Sequence, residues 1–134
     1  EAKFGLPEVA RGLVAAGGGL MRLPQRVPYH LAMEWALTGR LIEAEEAYRA
    51  SLVTHLTNPG AALDKALEIA TRIVANGPMA VRATKKIIVQ SQDWTLEESF
   101  HRQREISEPI RESDDAKEGA QAFTQKRPPV WQGK

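Results

Sequence analysis

A chain of 134 residues with a formal net charge of +1 and no cysteine is long enough for one globular domain of ordinary size. The missing cysteine excludes a disulfide framework, a thiolate metal site and a cysteine nucleophile, and 18 Lys plus Arg against 17 Asp plus Glu argue against a general nucleic-acid binder. A hydrophobic fraction of 43% and a charged fraction of 26% are those of a soluble protein, and no apolar run approaches the roughly 20 residues of a membrane helix.

In chain order, Ala2-Lys3-Phe4-Gly5 reads as the end of a strand and a turn, without the pattern of a secretory leader. Pro7 suits the first position of a short helix, and Glu8 then lies at its positive end. Gly12 and Gly17-Gly18-Gly19 punctuate the next stretch, before a brief helical turn around Leu20, Met21 and Leu23 that Pro24 and Pro28 interrupt. From Tyr29, the spacing of Leu31, Trp35 and Leu37 or Thr38 predicts a helix closed by Gly39. Another begins near Glu43, with Glu45 and Glu46 in its first turn. Leu52–Leu56 predicts a short strand.

Asn58-Pro59 predicts the cap and first position of a long helix whose apolar face carries Leu63, Ala66, Leu67, Ala70, Ile73 and Val74. Asn76-Gly77-Pro78 stops it and starts the next, striped by Val81, Thr84, Ile87 and Ile88. Thr95 with Glu98 forms a capping box before a helix that Pro109 ends or kinks. Ser113-Asp114-Asp115 opens a last helix, with Ala116, Ala120 and Phe123 on one side, Lys126 and Arg127 in its last turn, and Pro128-Pro129 beyond. The chain is therefore mainly α-helical, and its glycine-rich first twenty residues are the irregular part where function tends to concentrate.

Several chemistries find no support in the residues. The glycine run lacks the Gly-Lys-Ser/Thr ending of a phosphate loop and the spacing of a dinucleotide fold, so it reads as a turn or a close backbone approach. His30 and Glu34 share a helical face, but two ligands are too few for a metal, so no metal site is expected and the pair reads as a surface contact. No Gly-x-Ser-x-Gly elbow exists, and the three tryptophans do not form a stacking platform. Glu8 differs, because it sits between a glycine turn and an apolar helix, where a carboxylate is held rigidly and partly dehydrated. Its two readings are a helix-start residue and a general acid/base.

The ordered series Ala2-Lys3-Phe4-Gly5-Leu6-Pro7-Glu8-Val9, Gly12-Leu13, Gly18-Gly19 and Arg22-Leu23-Pro24 resembles the crotonase superfamily, the enoyl-CoA hydratase/isomerase family. Ala32-Met33-Glu34, Leu37-Thr38-Gly39, Glu46-Ala47, Leu52-Val53, Ala75-Asn76-Gly77-Pro78 and Lys85-Lys86 continue it in order. Ser113–Gly119 and Ala122–Pro128 complete it, so that the resemblance covers essentially the whole chain. The family runs to roughly twice this length, within the range of single domains. The resemblance therefore implies the C-terminal half of an α/β crotonase fold: residues 1–57 ending the β/α spiral core with an active-site glutamate, and residues 58–134 forming a helical region for trimerisation and coenzyme A contact. The start at Glu1, with Met21 the first methionine, then reflects a missing N-terminal half carrying a first catalytic glutamate and the oxyanion-hole N–H groups.

The same resemblance implies that Glu8 is the second catalytic glutamate, the acid that gives a proton to the α-carbon of a 2-enoyl thioester during hydration. Related isomerases keep a glutamate here and shuttle a proton between carbons, and a non-catalytic helical assembly module is the third reading. Phe123 and Lys126 match a pair that reaches the coenzyme A of a neighbouring subunit. Read from the residues alone, they are equally a core Phe and a dipole-stabilising Lys. The expected partners are an acyl-CoA thioester and further copies in a homotrimer or a dimer of trimers, with no nucleic acid, no membrane and no cofactor beyond the coenzyme A of the substrate. The expected compartment is the cytoplasm, and the chain alone is expected to be inactive. Two departures stand out: Ser51 where the family has glycine, costing roughly 1 kcal/mol if φ is positive, and Glu43 in place of a Ser/Thr cap, costing about 1 kcal/mol.

Overall fold

The computed structural model describes residues 1–134. Its regular elements are a strand β1 (Lys3–Phe4), helices α1 (Gly19–Arg22) and α2 (Tyr29–Thr38), a strand β2 (Ile42–Glu43), and helices α3 (Ala44–Arg49), α4 (Ala62–Val74), α5 (Pro78–Gln90), α6 (Leu96–Arg111) and α7 (Asp114–Thr124). Short 3-10 turns cover Pro7–Arg11, Leu23–Gln25 and Ser91–Asp93. The chain divides into two compact units, Glu1–Lys65 and Ala66–Lys134.

In the first unit β1 and β2 pair antiparallel, Lys3 opposite Glu43 and Phe4 opposite Ile42, and Lys3 Nζ meets Glu43 Oε1 at 2.7 Å. Glu43 is the residue before α3 but its side chain caps nothing there, as its replacement of Ser/Thr implied. The core is Val27, Ala32, Trp35, Ile42, Ala47 and Ala50, with Phe4, Leu23, Leu31, Leu52 and Val53 packed against it. Trp35 is 1% exposed, and its indole N–H reaches Glu46 Oε1 at 3.2 Å. Arg40 binds both Glu34, at 2.7 and 3.0 Å, and Glu46. The Glu34 carboxylate expected beside His30 is thus engaged by Arg40, while the His30 ring packs edge-on against Tyr29.

Two expectations fail for one local reason, a residue in the left-handed region. Leu52–Leu56 is not a strand, because Ser51 takes φ +61°. Ser51 N–H donates to Tyr48 O and Leu52 N–H to Ala47 O, each at 2.9 Å, which closes α3 as a Schellman motif and turns Leu52 onto the core. Likewise Asn58-Pro59 does not start α4: Gly60 takes φ +82° and Ala61 N–H donates to Asn58 O at 3.0 Å, a turn with Pro and Gly at its centre. The helix begins only at Ala62.

In the second unit the capping box forms as read: Glu98 N–H donates to Thr95 Oγ1, and the Glu98 carboxylate accepts the Thr95 N–H. Ser113 caps α7, accepting from Ala116 N–H at 3.1 Å. Helix α6 runs two residues past Pro109 before ending at Arg111. The seven residues after Arg127 return along α7. Trp131 stacks against Gly77 and Gly119 and donates its indole N–H to Ala75 O at 2.8 Å. Large apolar side chains stay exposed on α6, with Leu96 84% and Phe100 77% accessible.

Candidate active site

Glu8 is the second residue of the Pro7–Arg11 turn of helix, as the sequence order required. Proline at the first position loses no hydrogen bond there. Gly12, at φ +69°, ends the turn; its N–H donates to Val9 O at 3.1 Å and Leu13 N–H donates to Glu8 O at 3.0 Å. The backbone of Glu8 is therefore fixed by hydrogen bonds within six residues of sequence.

Glycines hold this turn from two sides. A β-carbon on Gly19 would lie 2.7 Å from Leu6 Cδ2, and one on Gly39 would lie 2.9 Å from Val9 Cγ2 and 3.5 Å from Pro7 Cα. Of the glycine run, Gly19 thus serves a close approach, and Gly39 closes α2 in the left-handed conformation, φ +64°, while backing the Glu8 segment.

Within this frame Glu8 Oε2 is buried and has no hydrogen-bond partner. A buried polar atom left unsatisfied costs about 1–3 kcal/mol, and such atoms concentrate where a ligand, water or reacting proton completes the site. Leu6, two residues earlier, helps line a cavity of about 440 Å³ with Phe4, Gly19, Leu23, Ile42 and Leu52, a largely apolar surface.

Phe123 and Lys126 belong to the second unit. They are not a core Phe and a last-turn Lys. Phe123 is 87% exposed, and α7 stops at Thr124, leaving Lys126 outside the helix at φ +52°. Lys126 N–H donates to Phe123 O at 3.2 Å and Arg127 N–H to Ala122 O at 3.0 Å, a second Schellman closure. The two residues therefore share a turn, not a helical face.

Sequence reading missed the two carboxylates that build this end of the molecule. Asp115, read as part of the helix opening, is 5% exposed; its Oδ1 accepts Gln132 N–H at 2.6 Å and its Oδ2 accepts Gly133 N–H at 3.0 Å. Glu118 accepts both Arg127 Nη1 and Nη2, at 2.7 and 2.9 Å, and Val130 N–H at 2.7 Å. The Arg127 guanidinium, and then the Val130 N–H, hold the Glu118 carboxyl well below the usual range, at about 2. The only sequence signal was the Glu118-to-Arg127 interval, which follows no helical period.

The family model described as enoyl-CoA hydratase/isomerase matches residues 1–134. The chain is 56% identical to an enoyl-CoA hydratase of known structure from Mycobacterium marinum, with a TM-score of 0.96, over 100% of this chain and 53% of that one. It is 43% identical to an enoyl-CoA hydratase of Mycobacterium tuberculosis over 100% of this chain and 50% of the relative. It is 37% identical to a carnitinyl-CoA dehydratase of Citrobacter koseri over 100% of this chain and 53% of the relative. The chain spans about half the length of these relatives and matches the C-terminal half of the homologues. With the family model matched along all of its residues, the chain belongs to the enoyl-CoA hydratase/isomerase family, the crotonase superfamily, and forms the C-terminal, largely helical part of that fold.

Proposed function

We propose that this chain supplies the proton-transfer glutamate and the coenzyme A contacts of an enoyl-CoA hydratase. The observation that carries the reading is the buried, unpartnered Oε2 of Glu8 on a turn fixed on both sides. In the reaction, the hydroxyl of water adds to the β-carbon of a 2-enoyl thioester and a proton is delivered to the α-carbon. Glu8 is the proton donor, a role for which position matters as much as acidity. The oxyanion donors and the partner glutamate lie in the upstream half that the resemblance implies. One backbone donor of this kind contributes about 3–4 kcal/mol to the barrier. The chain alone is therefore inactive, and turnover by the purified 134-residue chain would overturn this.

Phe123 and Lys126 contact coenzyme A, the lysine as a point charge for phosphate. The exposed Leu96 and Phe100, one helical turn apart, favour burial between subunits, in keeping with a trimer or a dimer of trimers acting in the cytoplasm. A glutamate in this place also suits an isomerase. Supplying the complete enzyme with a 2-enoyl-CoA and a 3-enoyl-CoA separates the two; absence of a 3-hydroxyacyl product from the first refutes hydration. Glu8→Gln in the complete enzyme lowers turnover by orders of magnitude with an unchanged melting temperature, and near-normal rates would refute the role of Glu8.

A further inference from the structure

The turn that presents Lys126 is strained, and the structure shows what holds it. A non-glycine residue in the left-handed region is disfavoured, and glycine is the usual occupant of this Schellman position. Lysine nevertheless stands there, at φ +52°, exposed. Strain of this kind persists where the surroundings over-determine it, and it points to use of the side chain.

The surroundings are two carboxylates of α7 that grip the returning tail. Glu118 takes the Arg127 fork and the Val130 N–H. One turn earlier, Asp115 takes the Gln132 and Gly133 N–H groups, while its own N–H donates to Lys134 O at 3.1 Å. Arg127 Nε further binds Gln125 Oε1 at 2.7 Å, so both neighbours of Lys126 are tied. The tail is pinned again where Trp131 lies over Gly119, close enough that a β-carbon there would sit 3.3 Å from the indole.

We propose that Glu118 and Asp115 are positioning residues for coenzyme A binding: by clasping Arg127 and residues 130–133 they fix the left-handed turn, closed by the Lys126 N–H on Phe123 O, that presents Lys126 for the phosphates of the nucleotide. This rests on the reading of Phe123 and Lys126 as coenzyme A contacts. Neither carboxylate touches the ligand. Each lowers the conformational cost of presenting Lys126, as preorganisation does.

The test uses the complete enzyme. Glu118→Gln keeps an oxygen for Val130 N–H but removes the charge that pairs Arg127. Titration calorimetry with coenzyme A is read beside steady-state kinetics on a 2-enoyl-CoA and on the matching 2-enoyl pantetheine thioester, which lacks the nucleotide. Coenzyme A affinity is expected to fall about fivefold to tenfold, with KM for the CoA thioester raised by the same factor, kcat unchanged and the pantetheine KM unmoved. Asp115→Asn gives a smaller loss in the same direction. Lys126→Gly raises the melting temperature, because the strain is relieved, yet loses the same affinity; adding Glu118→Gln to it causes no further loss. Unchanged coenzyme A affinity in Glu118→Gln, or equal losses on both thioesters, overturns the proposal. Binding is read without turnover. A wild type that binds coenzyme A but hydrates neither thioester therefore refutes the hydratase reading alone, while one that binds no coenzyme A refutes the clasp.

Discussion

Glu118 and Arg127 meet fork to fork, two parallel N–H···O bonds of 2.7 and 2.9 Å spanning the end of α7. The pair makes stability depend on acid. Glu118 titrates at about 2 in the folded chain, below its ordinary 4.5. A carboxylate with a depressed folded value contributes stability that is fully present above the unfolded value and is lost as pH falls through the folded one. The gap in melting temperature between the wild type and Glu118→Gln is therefore expected to be widest at neutral pH and to close between about pH 5 and pH 2. A gap that is constant down to pH 2 would show that the pair is not the origin.

Ser51 ends α3 with φ +61° in a closure whose hydrogen bonds suit glycine. Replacing it by glycine removes the β-carbon clash, worth roughly 1 kcal/mol and partly offset by the greater freedom of glycine in the unfolded chain. Chemical denaturation should show Ser51→Gly with a higher midpoint and an unchanged slope. A lower midpoint would mean that the serine side chain contributes more than the strain costs.

Local signals in the sequence were legible and distant ones were not. Thr95 with Glu98, Pro7, Gly39 and Ser113 each act within four residues, so their places follow from the order of residues alone. Leu52–Leu56 and Asn58-Pro59 misled because a neighbouring residue, Ser51 or Gly60, turns the chain left-handed before the apparent element can form. Lys126 was displaced from its helix by the same geometry. Glu8 stood out through the ordered motifs, but the glycines that back its turn, Gly19 against Leu6 and Gly39 against Pro7 and Val9, come from other segments. Asp115 and Glu118 bind backbone and side chain returning from the tail, a long-range event that no periodicity announces.

Arg40 joins Glu34 on α2 to Glu46 on α3, with Trp35 bonded to the same Glu46 carboxylate. Hydrogen bonds from Arg40 are the main cause that lowers the proton affinity of both glutamates. Two carboxylates need the planar fork, which a lysine ammonium does not supply. Arg40→Lys is therefore expected to lower the denaturation midpoint nearly as far as Arg40→Ala, despite keeping the charge. Full stability in Arg40→Lys would reduce the network to simple charge balance.

Gly12 and Gly39 both take positive φ, +69° and +64°, but their surroundings differ. A β-carbon on Gly12 meets nothing within 4 Å, whereas one on Gly39 lies 2.9 Å from Val9 Cγ2 and 3.5 Å from Pro7 Cα, on either side of Glu8. Alanine at either position costs the left-handed strain, about 1–2 kcal/mol. Only Gly39→Ala must also push the turn that carries Glu8, and small misplacement of a proton donor is costly, with 1 Å worth on the order of a hundredfold in rate. In the complete enzyme Gly12→Ala should therefore lose only the stability that the strain costs, whereas Gly39→Ala loses more stability and, alone of the two, turnover on a 2-enoyl-CoA, through kcat rather than KM. Equal turnover in both would mean that the close packing of Gly39 on the Pro7–Val9 turn does not set the position of the Glu8 carboxylate.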